Sequence, residues 1–410
     1  MNLTGRKSTQ APFLDSSLLF PRPRDRSVAK LRRRVNTPRT GAHESPLSAP
    51  TLRPVLYCGP AQLGLAPPKG TYRHEVYGLA STRSFFKRYW FLVAMAVVVP
   101  VGLVWPSGGQ VISESPLAIP LLVAITLLIS GFLLDARRLA RQAANFRAIL
   151  LTLSTTFVVA PVLGYALGHL LSPDGESALF LEAVMLTAAQ ASTLASALAL
   201  TIIAGGDREL ALILTLLSNA LTVFLTPLVL DSAIGAQVSF PVAEMMGRMA
   251  LVVLLPVVLG QALRRRFLTR VGDLRHGNKG LTALGFVPQL IMLCFIYTGF
   301  ANARDELQDE VLVAVRLLAV AILLHGALLV WTRSLSKLLR LPEQARIAVI
   351  LSGSQKTLPN GLYLWRGFFA TNPYCPVALV LYHLCQLVVD TLLLTKLAGS
   401  KSRNKKSSPS

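Results

Sequence analysis

Residues 345–369 read ARIAVILSGSQKTLPNGLYLWRGFF, an apolar stretch of membrane-span length with a polar run, a lysine and a proline at its middle. A helix in hydrocarbon must satisfy every backbone N–H and C=O. Pro359 removes one donor, and Gly353, Asn360 and Gly361 around it favour unwinding. Such a helix can break only inside protein or beside water, and broken helices of this kind form ion and substrate sites in secondary transporters. Lys356 strengthens that reading, because at mid-span a lysine costs at least about 2.5 kcal/mol unless it is paired.

Working outward, the composition places the whole chain in the membrane. Of 410 residues 52% are hydrophobic and only 15% charged, with a mean hydropathy of +0.53, so an all-α polytopic membrane protein is expected. The net charge of +21 is spread over the N-terminal region, the loops and the C-terminus rather than one face, which argues against nucleic acid as a partner and leaves lipid as the surrounding medium. Cys58, Cys294, Cys375 and Cys385 are scattered without metal-ligand spacing, so neither a disulfide framework nor a zinc site is expected.

Residues 1–88 differ from the rest. They are rich in Arg, Ser, Thr and Pro, poor in acids, and cannot build a core, so a disordered basic extension is expected there. With no early apolar h-region, this composition fits an organelle transit peptide, plastid or mitochondrial, better than a secretory signal; a cytosolic tail is the bland alternative. A transmembrane domain is expected over 89–398 and a disordered basic tail over 399–410.

Candidate spans lie near 90–105, 116–134, 148–171, 178–203 and 209–230, then near 243–263, 280–300, 311–332, 345–369 and 374–397. Arg316 inside the eighth is expected to snorkel toward an interface. Basic clusters precede the first span and follow the second, sixth, eighth and tenth. The intervening loops are neutral or acidic, including Asp305, Glu306, Asp309 and Glu310, which puts both termini inside. An odd number of spans per half, about 89–232 and 241–398, makes the halves face opposite ways, an inverted five-helix repeat.

If the halves are related, the fourth span should echo the ninth. TAAQASTLASALAL carries Gln190, Ser192, Thr193 and Ser196 at mid-membrane depth, and its hydroxyls and freed carbonyls are hard oxygen ligands for a small cation. The bland alternative is that Ser and Thr bond back to their own helix. The fifth span adds Thr215, Ser218, Asn219 and Thr222 on one face. In the ninth, Ser354, Gln355, Lys356, Thr357 and Asn360 form the polar run, and in the tenth His383, Gln386 and Asp390 make a second stripe. Lys356 with Asp390 is an expected pair; the alternative is that Asp390 meets Lys396 or water.

Two decoys lack context. LSGSQ at 351–355 resembles an ATP-binding-cassette signature, but no phosphate loop accompanies it. AGGDRE at 204–209 reads as a glycine helix stop and a charged turn. No H-E-x-x-H, G-x-S-x-G or paired carboxylates occur in a span, so no enzyme is expected.

VVLLPVVLGQALRRR from Val252, GSQKTLPNG from Gly353 and PVALVLYHLCQLVVD from Pro376 resemble the bile acid:sodium symporter family, most closely an orphan branch with bacterial and plastid relatives. AGGDRELALILTLLSNALTVFLTP from Ala204 fits its fourth-to-fifth-span turn. The resemblance implies ten helices in an inverted repeat, a panel and a core domain with discontinuous helices 4 and 9 that cross in the core, and secondary active transport of a small organic anion with sodium at that crossing. It also implies that Ser196, Thr215 and Gln355 match sodium ligands. The chain departs from the sodium-coupled members: Leu351 and Ser352 stand where they have a glutamate, Lys356 replaces their asparagine, and Ala211 replaces a serine. Loss of a carboxylate beside gain of an ammonium puts the Lys356 charge in the place of one sodium ion, with coupling to protons or to nothing. Lys356 could instead contact an anionic substrate. The family's plant members carry transit peptides of this type, which favours the plastid envelope. A non-transporting regulator and a cation/proton antiporter are the competing readings.

Overall fold

A computed structural model describes residues 76–133, 144–173, 175, 177–235, 241–271 and 283–406, with side chains placed from 90 to 267 and from 283 to 393 within those ranges. The expected extension before Val76 and the chain after Lys406 lie outside the described residues, as do Cys58 and the Lys396 side chain. The described residues hold helices and no strand.

In chain order the elements are α1 (Val76–Val104), α2 (Ser107–Glu114), α3 (Ala118–Leu133), α4 (Phe146–Leu171, with a π-turn at Thr155–Val159), α5 (Ser177–Ala188), α6 (Leu194–Ile203) and α7 (Arg208–Ile234). Next comes α8, which runs from Val242–Met249 through a π-turn at Ala250–Leu254 into Leu255–Val271. It is followed by α9 (Val287–Asp309), α10 (Val311–Leu338), α11 (Glu343–Ser354), α12 (Leu358–Phe368) and α13 (Tyr374–Lys406). Among the described residues, five helices are long and apolar enough to cross a membrane, or six if α1 and α2, bent by 88°, form one span. Helices α3, α5 and α6 are shorter and apolar.

Several boundaries differ from the hydropathy reading. Helix α1 begins at Val76, inside the stretch expected to be disordered, and α13 runs to Lys406, past the expected end at 398. Hydropathy marks the hydrocarbon-facing segment, whereas a helix satisfies its own backbone and continues past it. The acidic loop expected between the seventh and eighth spans is not a loop. Asp305, Glu306 and Asp309 belong to the last turns of α9, and only Glu310 leaves helical geometry, at φ −112 and ψ 52, before α10 starts.

Local chemistry explains other ends. Gly205, at φ +73, stops α6, and Asp207 then caps α7 by accepting from the Glu209 and Leu210 N–H groups, both at 2.9 Å. Arg316 reaches the Leu171 carbonyl at the end of α4, 3.5 Å away, and so serves a helix terminus. Helix α1 packs on α9, α3 on α8, and α13 on α5, α9 and α10. Close approach is built into the sequence: a Cβ on Gly361 would lie 2.3 Å from Leu379 Cδ2. Helix α5 is buried from Phe180 to Ala188, so the short broken elements form the interior.

Candidate functional site: two helix breaks that meet

The ninth candidate span is broken as its sequence predicts. Helix α11 ends at Ser354, Gln355 and Thr357 are extended, and α12 starts with Pro359 in its first turn. The fourth candidate span breaks too, between Ala188 and Leu194, although it has neither proline nor glycine there. The breaks are spliced: the Thr357 N–H donates to the Ala191 carbonyl at 2.8 Å. Ser196 Oγ donates to Gln355 Oε1 at 2.9 Å and lies 3.1 Å from Thr193 Oγ1.

Each break is held by neighbours. The Gln386 side-chain amide clamps the Lys356 main chain, accepting from its N–H at 2.7 Å and donating to its carbonyl at 3.0 Å. Asn219 donates to the Ser192 and Thr215 carbonyls, both at 2.8 Å, and accepts from Asn360 Nδ2 at 3.2 Å. Ser218 Oγ accepts from the Ser192 N–H at 3.3 Å, and Thr226 donates to the Ala189 carbonyl at 2.6 Å. One face of α7 therefore supplies most of what the first break lacks.

The Lys356 side chain is buried and donates to two main-chain carbonyls, Thr156 O at 2.8 Å and Gln190 O at 3.0 Å. Both are free for a physical reason. Gln190 lies in the break. In α4 the π-turn pairs the Ala160 N–H with Thr155 O, and the next residue, Pro161, has no N–H to give Thr156 O. The ammonium therefore sits on main-chain oxygens that the two helices cannot satisfy themselves. Side-chain oxygens of these same residues, Thr156 Oγ1 and Gln190 Oε1, are buried without a hydrogen-bond partner, as are Thr152 Oγ1, Ser192 Oγ and Ser352 Oγ.

The expected Lys356–Asp390 pair does not form. Consecutive residues of an extended segment point opposite ways, so Lys356 faces α4 and α5 while Gln355 faces α13. Gln355 Nε2 donates to Asp390 Oδ2, and Asp390 Oδ1 faces His325 Nε2 at 3.0 Å. His325 Nδ1 faces the Ser354 carbonyl at 3.3 Å, which also accepts from Tyr382 Oη at 2.8 Å. His325 is absent from the sequence-derived candidates; its signal is a lone histidine in the apolar run AVAILLHGALLV of α10. Thr156 and Pro161 are likewise missing from those candidates.

Other candidates behave more blandly. The hydroxyls of Thr215 and Ser354 bond back to Ala211 and Ile350 in their own helices, at 2.9 and 2.8 Å, and the Gln190 amide donates to Leu186 O at 2.8 Å. The Thr357 side chain is buried beside its spliced N–H. His383 Nδ1 meets Gln386 Nε2 at 2.8 Å, and its other ring nitrogen has no partner.

Apolar spans built around two interlocked helix breaks, with buried charged and polar groups between them, define an integral membrane protein with a buried polar centre. Residues 89–399 match the SBF-like CPA transporter family. A Pseudomonas aeruginosa protein of uncharacterised function is 33% identical over 278 residues, 65% of this chain and 81% of that protein. Sodium/bile acid cotransporter 7 of Danio rerio is 23% identical over 319 residues, 75% of this chain and 93% of that protein. The probable sodium/metabolite cotransporter BASS4, chloroplastic, of Oryza sativa subsp. japonica is 26% identical over 284 residues, 65% of this chain and 66% of that protein. The chain belongs to the bile acid:sodium symporter family, a family of transporters rather than enzymes.

Proposed function

We propose that this chain is a secondary active transporter of a small organic anion, in which the Lys356 ammonium takes the place of a coupling sodium ion. The observation that carries the reading is the seating of Lys356 Nζ on Thr156 O and Gln190 O. At the same crossing, donors within the chain occupy the carbonyl ends of the half-helices α5 and α11. The N-terminal ends of α6 and α12 begin at Thr193 and Thr357 with no side-chain cap hydrogen bond. Helix N-termini carry partial positive charge, and together with the buried Lys356 ammonium they give the centre a charge that favours an anion.

The reading takes the chain as ten spans in two inverted sets of five, about 89–232 and 241–398. In support, the two breaks fall in the fourth and ninth candidate spans and divide each into half-helices of 10–12 residues. Transport then proceeds by one bundle rocking against the other around the crossing. Proton coupling, or none, replaces sodium coupling. We place the protein in an organelle membrane, the plastid envelope, on two grounds: the basic, acid-poor composition of residues 1–88 and the chloroplast designation of the rice relative.

Flux of candidate carboxylates into proteoliposomes tests the reading. Wild-type protein should carry at least one of them at equal rates in sodium and in choline, and Lys356→Ala and Gln355→Ala should abolish that flux while the protein stays folded. Saturable sodium binding to wild-type protein would overturn the role of Lys356. A regulator without transport would be indifferent to both substitutions.

A further inference from the structure

Glu182 is the sole charged residue of the fourth candidate span, 178–203, and on α5 it is only 5% exposed. An ionised side chain so placed is costly unless it is paired, and carboxyl groups inside spans commonly serve proton relays. Among the described residues no cation meets it. The helices packed on α5 are α4, α7, α12 and α13, and the first three bring no charged group to it. What faces it is the Asn372 amide and, from α13, the Cys375 thiol, with Sγ 4.0 Å from Oε1. That thiol is its one titratable neighbour among the described residues.

Asn372 makes this place a joint. Its Nδ2 donates to the Leu179 carbonyl at 2.8 Å, its Oδ1 accepts from the Tyr374 N–H at 2.9 Å, and its carbonyl accepts from Trp365 Nε1 at 3.0 Å. One buried residue thus ties α5 to the last turns of α12 and to the start of α13. Phe369, Asn372, Tyr374 and Cys375 are all buried, so the joint keeps water from the carboxyl group. The linker that carries Asn372, residues 369–373, is short, and Ala370 and Thr371 at its tip are exposed.

We propose that Glu182 binds a proton in this closed joint and gives it to water when the linker lifts from α5, a proton-operated latch between the fourth and ninth candidate spans. The closed joint shelters a neutral carboxyl group, which needs no cation, and the open joint hydrates the carboxylate that remains after the proton leaves. Closure is therefore strongest at low pH and is lost as pH rises. Glu182 shares its half-helix with Gln190, whose carbonyl holds Lys356, about 12 Å further along the axis. Movement of α5 at the joint is thereby passed to the helix crossing. The link to transport rests on the function proposed above, in which Glu182 carries the coupling proton; the latch itself does not.

Labelling of Cys375 by N-ethylmaleimide reads the latch directly, in the full-length protein in proteoliposomes, with the Cys375 peptide quantified by mass spectrometry. Thiolate formation alone raises the rate about tenfold per pH unit below the thiol's ordinary range, and release of one linked proton raises the open fraction by a further factor of about ten. Wild-type protein should therefore gain about tenfold more per pH unit than Glu182→Gln, whose neutral amide stands in for the protonated acid and keeps the joint shut. Glutathione labelled in parallel gives the same reference slope if that variant fails to fold. Asn372→Ala, which cuts the tie and leaves Glu182 in place, should label faster than wild type at low pH. A wild-type slope no steeper than the reference, or Asn372→Ala labelling no faster than wild type, would overturn the proposal. Flux driven by a pH gradient is measured separately: a steep labelling slope in a protein that carries no substrate supports the latch and refutes only the transport reading.

Discussion

The Lys356 ammonium donates at 2.8 Å to the carbonyl of Thr156, a group left without a helical donor because the residue five positions on is Pro161. A missing N–H in α4 and a cation in the break between α11 and α12 thus compensate each other. The same ammonium binds the Gln190 carbonyl, so one side chain ties α4 to both helix breaks.

Removing the ammonium should expose what it replaces. Lys356→Ala leaves Thr156 O and Gln190 O buried and unpaired, at about 1–3 kcal/mol each. Thermal unfolding in detergent should show a lowered Tm in choline chloride that sodium or lithium chloride partly restores, because a cation that binds only the folded protein stabilises it. The wild-type Tm should be the same in all three salts.

Pro161→Ala restores an N–H that can bond Thr156 O and close the π-turn. Removing a proline from a helix interior relieves about 3 kcal/mol of intrinsic penalty. The variant should therefore melt no lower than wild type, yet transport should fall, since Lys356 loses a partner. Parallel measurements of Tm and flux check this, and a variant with both unchanged would show that the π-turn is incidental.

The His325–Asp390–Gln355 chain predicts strong coupling between sites distant in sequence. His325→Ala and Asp390→Ala should each destabilise by about 1–3 kcal/mol, because each leaves a buried partner unsatisfied. The double variant should cost clearly less than the sum, with an interaction energy of about 0.5–3 kcal/mol. A double-mutant cycle on unfolding free energies gives the number.

Gly361→Ala places a methyl group 2.3 Å from Leu379 Cδ2, at the contact between α12 and α13. Overpacking of this kind typically costs about 1–3 kcal/mol. Adding Leu379→Ala should recover part of the loss, a rescue visible as a partial return of Tm in the double variant.

Membrane character and the break at residues 355–357 were legible in the sequence because their causes are local. Apolar run length, a proline without an N–H and a polar run inside hydrocarbon act on their own segment. So do the Asp207 cap and the Gly205 stop. The polar face of α7 was legible as well, since three- and four-residue spacing puts Ser218, Asn219 and Thr222 on one side wherever that side points.

The partners were not legible. The break at Ala189–Thr193 has no breaker residue and exists because Thr357, Asn219 and Thr226 supply its backbone with partners from other helices. Lys356 and Asp390 looked like natural partners by charge, yet extended backbone sends Lys356 and Gln355 to opposite sides, so Asp390 meets Gln355 and His325 instead. The sequence by itself determined which segments lie in the membrane and where the ninth candidate span must open, because hydropathy and backbone hydrogen bonding are properties of a stretch of chain. Only the tertiary structure decided which carbonyls receive the lysine and which groups receive the aspartate, because a buried hydrogen bond depends on how helices some 200 residues apart are placed.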